Sequence, residues 1–457
     1  AAAWRVLLDR WPQARRIGIV CGPGNNGGDG YVLALHARAC GRDVVVITLP
    51  DGASRSDPAR ALHAEWIANG GMTQAFDGTL PDADVWVDAL FGIGLARAPD
   101  GAAADLIMAL HASARPVFAL DVPSGADADS GHVPSIAVRA ECTLQFIVGK
   151  RGLYTGMARM LAGEVLIDDL QLPAALLASA PPSAELLRAD ALHAWLPRRA
   201  RDANKGNFGH VLCVGGDLGT GGAVMLCAQS VLRCGAGLVS VATRASHVPA
   251  LLAARPEAMA HAVEDSADFA PLLQRATVIA VGPGLGQGEW GRALYAAALA
   301  AYKPLVIDAD ALNLLAQHPQ LLRDAVLTPH PGEAARLLDV SVDAIQRDRF
   351  AAAQAIAERY AATVVLKGAG SLVAAPGEVP AIIDAGNPGM AGGGVGDVLT
   401  GVIAALRAQG LAAFDAARCG ALLHAAAGDA AACDGGERGL LASDLFPHLR
   451  RLANPCN

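Results

Sequence analysis

Two aspartates stand beside glycine-rich segments near opposite ends of this chain. Asp29 closes residues 22–30 (GPGNNGGDG), and Asp397 lies within residues 386–401 (GNPGMAGGGVGDVLTG). Glycines ahead of a helix let the backbone approach a ligand closely, and the first free N–H groups of that helix point at any anion held there. Two such places imply two sites for phosphate-bearing ligands. A carboxylate beside a bound anion is unfavourable unless it takes a proton or meets a cation, so both aspartates need a chemical role.

The second segment is the stronger. Three glycines, then Gly396 and Asp397, open a helix whose apolar face reads Val398, Leu399, Val402, Ile403 and Leu406. Amides there can form an anion hole for a phosphoryl group in transit, lowering a barrier by roughly 3 to 4 kcal/mol. Asp397 would then accept the proton of an attacking hydroxyl. The plain alternative is an aspartate N-cap on a tight helix start, and alone the motif leaves the two readings even. Residues 367–371 (KGAGS) follow the strand pattern TVVLKG, where a cation and free amides can hold a nucleotide phosphate, although a lysine at a strand end is usually a solvated charge. Residues 282–286 (GPGLG) form another close-approach turn. His330, in TPHPGE, is fixed between two prolines at a strand end, and such a histidine is either structural or a positioned side chain. Asp308 and Asp310, in IDADALN, suit the orientation of water or a metal, or equally the cap of a helix.

In the first half, Asn25, Asn26, Asp29, Asp88, Asp121 and Ser124 each follow a strand pattern. Asn26, Asp88 and Ser124 offer oxygens at three strand ends, a set able to coordinate a monovalent cation. Asp121 is either a turn-forming residue before Val-Pro-Ser-Gly or an acid/base, with Lys150 near it.

Parallel sheets position such residues. From Arg16 to Val148 short β-branched runs (RIGIV, DVVVITL, VWVDAL, VFALDV, CTLQFIV) alternate with helical patterns, which predicts a parallel sheet covered on both faces and ligands beyond the carboxyl ends of its strands. A second, larger alternation begins at His210 (HVLCVGG, LVSVAT, TVIAVGPG, PLVIDADA, VLTPH, TVVLKG). Its last two strands, SLVAAP and AIID, are expected to form an antiparallel hairpin over the site. Between Leu172 and Asp190 an Ala/Pro/Ser stretch without strand pattern marks a linker.

The bulk properties fit. A chain of 457 residues suggests two domains, and 53% hydrophobic against 18% charged residues suits a compact soluble protein. A net charge of -8 argues against a nucleic-acid surface. Nine cysteines without a C-x-x-C pair indicate neither zinc nor a disulfide framework, and a reducing cytoplasm is the simpler expectation. No apolar run is long enough to span a membrane. The chain opens in what reads as mid-helix (AAAWRVLLDRW), taken as a trimmed N-terminus rather than a signal peptide.

The second-half motifs KGNFGHVLCVGGDLGTGGAVMLCAQSVLRCGAGLVSVAT, GPGLG, IDADALNLL, LTPHPGEAARLL, LKGAGS, GNPGMAGGGVGDVLTG and ERGLLASDL resemble, in order, the ribokinase-like domain of the ADP-dependent NAD(P)H-hydrate dehydratases. In the first half NNGGDGYVLALHAR, DALFGIGL, LDVPSGADADSG and FIVGKRGLYTG resemble the NAD(P)H-hydrate epimerase domain. The resemblance implies an α/β protein with a Rossmann-like three-layer epimerase domain (residues 1–172), a linker (173–185) and a ribokinase-like three-layer dehydratase domain (186–457). It implies interconversion of R and S NAD(P)H hydrates, followed by phosphorylation of the S hydrate's ring hydroxyl and loss of phosphate.

By that resemblance Lys367, Gly368, Ala369, Gly370, Ser371 and Gly396 hold the adenine nucleotide, and Ala236, Gly284, Gly286, His330 and Asp397 line the dehydratase pocket, with Asp397 as base. Asn25, Asn26, Gly27, Gly28, Asp29, Gly92, Ile93, Gly94, Leu95, Ala96, Arg97, Ala98 and Asp121 cradle the hydrate in the epimerase, where Asp121 is the acid/base. Potassium is implied at Asn26, Asp88 and Ser124. ADP or ATP is the co-substrate, with Mg2+, and a homo-oligomer is expected of such folds. Val395 departs from the family's usual Thr or Ser; its backbone N–H is unaffected, but a hydroxyl contact to phosphate is lost. Most of a helix usual ahead of the first strand is missing, which puts dimer contacts or one wall of the epimerase pocket in question. A ribokinase-like small-molecule kinase of the hydroxymethylpyrimidine or pyridoxal type would share the glycine loop and Asp397 but leave the first half unexplained. A non-catalytic nucleotide sensor would gain nothing from Asp397 and Asp121 beside phosphate.

Overall fold

The structure, a computed structural model, describes every residue except 51, 53, 55, 95, 96 and 455–457. The chain divides into two compact units, Ala1–Pro181 and Pro182–Asn457.

In the first unit β1 (Arg16–Cys21), β2 (Asp43–Thr48), β3 (Thr73–Ala75), β4 (Val85–Ala89), β5 (Val117–Leu120), β6 (Cys142–Phe146) and β7 (Glu164–Asp168) form one sheet in the order β3-β2-β1-β4-β5-β6-β7, parallel throughout. Alternate residues of each strand bury on opposite faces: Ile17, Ile19, Val85 and Val87 enter one core, and Val20 and Trp86 the other. The expectation of a doubly covered parallel sheet rested on those continuous apolar runs. The chain builds outward from β1 to β3, then returns to lay β4 on the other side of β1. That reversal opens a crevice at the carboxyl ends of β1 and β4.

The second unit repeats the plan on ten strands. They are β8 (Glu185–Leu187), β9 (His210–Val214), β10 (Leu238–Thr243), β11 (Met259–Ala262), β12 (Val278–Val281), β13 (Leu305–Ile307), β14 (Ala325–Leu327), β15 (Thr363–Leu366), β16 (Leu372–Ala374) and β17 (Ala381–Ile383). Their order is β11-β10-β9-β12-β13-β14-β15-β16-β17-β8, and only β16 runs against its neighbours. The reversal of order here falls between β9 and β12. One face is covered by the helices Gly221–Arg233, Val395–Ala408 and Ala413–Gly435, whose buried residues share a core with Val211, Val278, Val306 and Val326.

Two expectations are corrected. The hairpin of β16 and β17 does not lie over the site; its residues are buried within the sheet, which continues through them beside β15. The stretch around residue 185, read as lacking a strand, contains β8, which pairs in parallel with β17. Three residues are too few to show a period, and the pairing comes from a strand almost two hundred residues later in the sequence. The edge strands β3, β7 and β11 went unrecognised for the same reason: their polar or short sequences acquire strand character from a neighbour.

Candidate functional site

Every chemically notable residue of the second unit except Ala236 collects at the carboxyl ends of its strands. Gly394, in the left-handed region at φ 86°, is the N-cap of the helix Val395–Ala408, so Gly396 and Asp397 fall in its first turn. Asp397 is therefore not the cap, and its side chain makes no cap bond. Across from it Lys367, at the end of β15, places its Nζ 2.9 Å from Asp308 Oδ1 at the end of β13. Glu333 Oε2 lies 3.7 Å from the same ammonium, and the Thr400 hydroxyl donates to Asp308 Oδ2 at 2.7 Å. Asp308 occupies an N-cap position yet caps nothing with its side chain, which is spent on Lys367 and Thr400. Lys367 is thus a half-buried, doubly neutralised cation, and Gly396 adjoins it closely enough that an added methyl would meet Nζ at 3.3 Å. Burial first, then the charge of Asp308, pushes the Asp397 carboxyl up to about 7, with Lys367 opposing. A carboxylate poised there exchanges a proton near neutral pH.

His330 caps the helix Pro331–Leu338: its Nδ1 accepts from the amides of Gly332 (3.0 Å) and Glu333 (3.3 Å). Burial and the charge of Lys367 lower its pKa, so the ring is neutral at pH 7 and must carry its proton on the half-exposed Nε2. The structural and positioned readings are therefore both true of one side chain. After β12, Gly284 and Gly286 have positive φ, and the Gly286 amide donates to Asp310 Oδ2 at 2.9 Å. Gly368 to Ser371 form the hairpin turn between β15 and β16, and a residue that the sequence reading missed, the buried Arg349, donates to the carbonyls of Leu366 and Lys367 at its root. Glu333 and Thr400 were missed as well, although the fixed spacing of Glu333 from His330 carried a signal. Ala236 does not join them. It sits in the turn before β10, whose first residue Leu238 pairs with the first residue of β9, and so lies at the opposite end of the parallel strands.

In the first unit a cavity of about 1290 Å³ opens at the reversal of strand order. Asn25, Asn26, Asp29, Gly92, Ile93, Gly94, Arg97, Ala98, Asp121 and Lys150 line it. Leu95 and Ala96 lie outside the described residues. Gly27 and Gly28 do not line the cavity: a side chain at Gly27 would collide with Gly22 O, and one at Gly28 would press on Ala59 and Leu62, so both serve close packing of the helix Asn25–Ala39. Asp121 adopts φ 67° and pairs with Lys150, Nζ to Oδ1 2.5 Å, while the same ammonium donates to Phe146 O at 2.6 Å. Asp29 is pushed up to about 6 by burial and by the charge of Asp121.

Asp88 is fully buried and accepts from Ser124 N (2.8 Å), Ser124 Oγ (2.6 Å) and Leu90 N (3.1 Å); burial raises its pKa to about 6. Asn26 donates through Nδ2 to Leu120 O at 3.2 Å, and its Oδ1 is buried without a partner.

Residues 211–451 match the family described as NAD(P)H-hydrate dehydratase, and residues 1–152 the family described as YjeF-related protein N-terminus. The chain is 46% identical over 455 residues to the bifunctional NAD(P)H-hydrate repair enzyme Nnr of Coxiella burnetii, covering 99% of this chain and 93% of that protein. It is 43% identical to the enzyme of the same name from Escherichia coli, covering 99% and 88%. A crystal structure of the ADP/ATP-dependent NAD(P)H-hydrate dehydratase of Bacillus subtilis, co-crystallised with ATP/Mg2+, superposes with a TM-score of 0.53 at 28% identity, over 59% of this chain and 97% of that one.

Proposed function

The chain belongs to the bifunctional NAD(P)H-hydrate repair enzymes, and from that membership we propose how its two strand-end sites divide the work. It epimerises R and S NAD(P)H hydrates and dehydrates the S form to NAD(P)H with a nucleotide as co-substrate. The observation that carries the dehydratase assignment is a carboxylate in the first turn of a glycine-opened helix, uncommitted to any cap and within the field of the half-buried Lys367.

In this reading Asp397 takes the proton of the hydrate's ring hydroxyl as its oxygen attacks the terminal phosphorus of the nucleotide. The bond to the leaving nucleotide oxygen breaks, and the amides around Gly396 with Lys367 carry the developing charge. The phosphate then departs with its C–O electron pair as the ring loses a proton, restoring the double bond. His330 Nε2–H and the turn at Gly284 and Gly286 face the hydrate, and residues 367–371 face the nucleotide. ADP is the assigned donor, with ATP also accepted. Mg2+ would arrive on the nucleotide phosphates, as this ion commonly does.

The epimerase half is assigned to Asp121 as acid/base, held by Lys150, with the hydrate in the cavity between Asn25 and Arg97. Asn26 Oδ1, Asp88 and Ser124 would hold K+; the unpartnered buried Oδ1 supports this. Such an ion supplies a fixed positive charge that keeps Asp88 ionised. Exposed Met157, Met160 and Ile167 support a homo-oligomer, and a reducing cytoplasm is the proposed working compartment. No helix among the described residues is long and apolar enough to cross a membrane.

The test is direct. Incubation with S-NADH hydrate and ADP or ATP should restore the dihydronicotinamide absorbance, and Asp397→Ala should not. Absence of recovery with either nucleotide would refute the assignment.

A further inference from the structure

The helix Ala413–Gly435 carries three residues unused by the mechanism above, His424, Gly428 and Asp429, and all three meet the loop that leads from Gly386 into the helix Val395–Ala408. Asp429 holds the start of that loop: the Gly386 amide donates to its Oδ2 at 2.8 Å, and Asn387 Nδ2 to its Oδ1 at 2.9 Å. Asn387 in turn accepts from the Gly389 amide at 3.0 Å, so the clamp extends into the next turn. Gly428 seats the middle, since a methyl there would collide with Met390 Sδ. His424 holds the end. Its Nε2 lies 3.0 Å from Val395 O, which can only accept, so that nitrogen bears the proton. Burial lowers its pKa to about 4 and keeps the ring neutral in this role at physiological pH.

A spacing of four residues places His424 and Gly428 on one face of the helix, and Asp429 follows Gly428 directly, so the three meet successive parts of the loop. Between the anchors the loop is open at Gly393, where an added methyl would meet nothing within 4 Å, before Gly394 rests against Leu226. A glycine-rich segment has many conformations to lose, and an anion hole accelerates phosphoryl transfer only if its donors are in place before charge develops. Asp429 is exposed, has no cationic partner among the described residues, and commits both oxygens to the loop.

We propose that His424, Gly428 and Asp429 are positioning residues that preset the phosphoryl-binding loop, Asp429 being its main clamp. This rests on the dehydratase assignment. The test compares steady-state dehydration of S-NADH hydrate with ADP by the full chain and by Asp429→Ala, Asp429→Asn and Gly428→Ala, with the circular dichroism and melting transition of the same preparations as the measure of folding. Asp429→Ala should lower kcat about 100-fold while KM for ADP moves less than about threefold. Asp429→Asn, which keeps one acceptor, should retain more activity, and Gly428→Ala should also lose kcat. A merely structural role would lower the melting temperature and leave kcat of the folded enzyme unchanged. If Asp429→Ala does not fold, the other two variants decide. A kcat within about twofold of wild type in every folded variant, beside an active wild type, overturns this proposal alone. An inactive wild type overturns the dehydratase assignment and this proposal with it.

Discussion

Asp397 combines two properties that usually conflict. Its carboxyl is raised from an ordinary value of 3.8 to about 7 by burial and by the neighbouring Asp308, so the fold disfavours the ionised form that its proposed role as base needs. The dehydratase kcat/KM should therefore rise with pH through an apparent pKa near 7 and level off above it, and Asp397→Asn should lose this limb with the activity. Stability runs the other way. Because the folded value lies above the unfolded one, ionisation burdens the native state; the burden is absent below about pH 4, grows to about pH 7, and is constant beyond, with a ceiling of about 1.4 kcal/mol per pH unit. Asp397→Asn should thus melt higher than wild type near pH 8 and at the same temperature near pH 4. A variant less stable at both would show that Asp397 is held ionised. The sequence could nominate Asp397 because glycines and an aspartate before an apolar helix pattern are local. It could not show that Asp308 and Glu333 would share Lys367 with it, since those four residues come from separate segments.

At the scale of elements, the helix Val395–Ala408 aims the site because it lies tightly on the helix Gly221–Arg233. Gly401 is the point of closest approach: a methyl there would collide with the Ser230 hydroxyl and the Cys227 carbonyl. The added side chain should cost roughly 1–3 kcal/mol through overpacking, against at most about 1 kcal/mol gained in helix propensity. Gly401→Ala should therefore lower the melting temperature and the dehydratase kcat together. Gly393→Ala, with open space around the added methyl, should leave the melting temperature unchanged. Equal melting temperatures for both variants would mean that the helix contact is looser than drawn. The helix itself was legible from its apolar periodicity. Its partner and the role of Gly401 were not, because helix packing is decided by which ridges meet.

On the scale of the whole molecule, each unit carries a complete strand-end site, and each should fail alone. Asp121→Ala should turn over pure S hydrate as fast as wild type, while consumption of a mixed R and S pool slows to the spontaneous epimerisation rate. Asp397→Ala should do the reverse, equilibrating R and S without forming NAD(P)H. Loss of both activities in either variant would contradict this separation. The sequence by itself determined the class of both sheets and their central strands, and it nominated Asp397, Asp121, Lys367 and His330, because apolar runs, glycine turns and strand-end polar residues are local patterns. Tertiary structure alone decided that Ala236 lies at the other end of the strands, that Gly27 and Gly28 pack closely against their neighbours, that β8 completes the second sheet, and that Asp429 bonds to Gly386 and Asn387. Each of these depends on which distant backbone lies alongside, a relation that local periodicity does not encode.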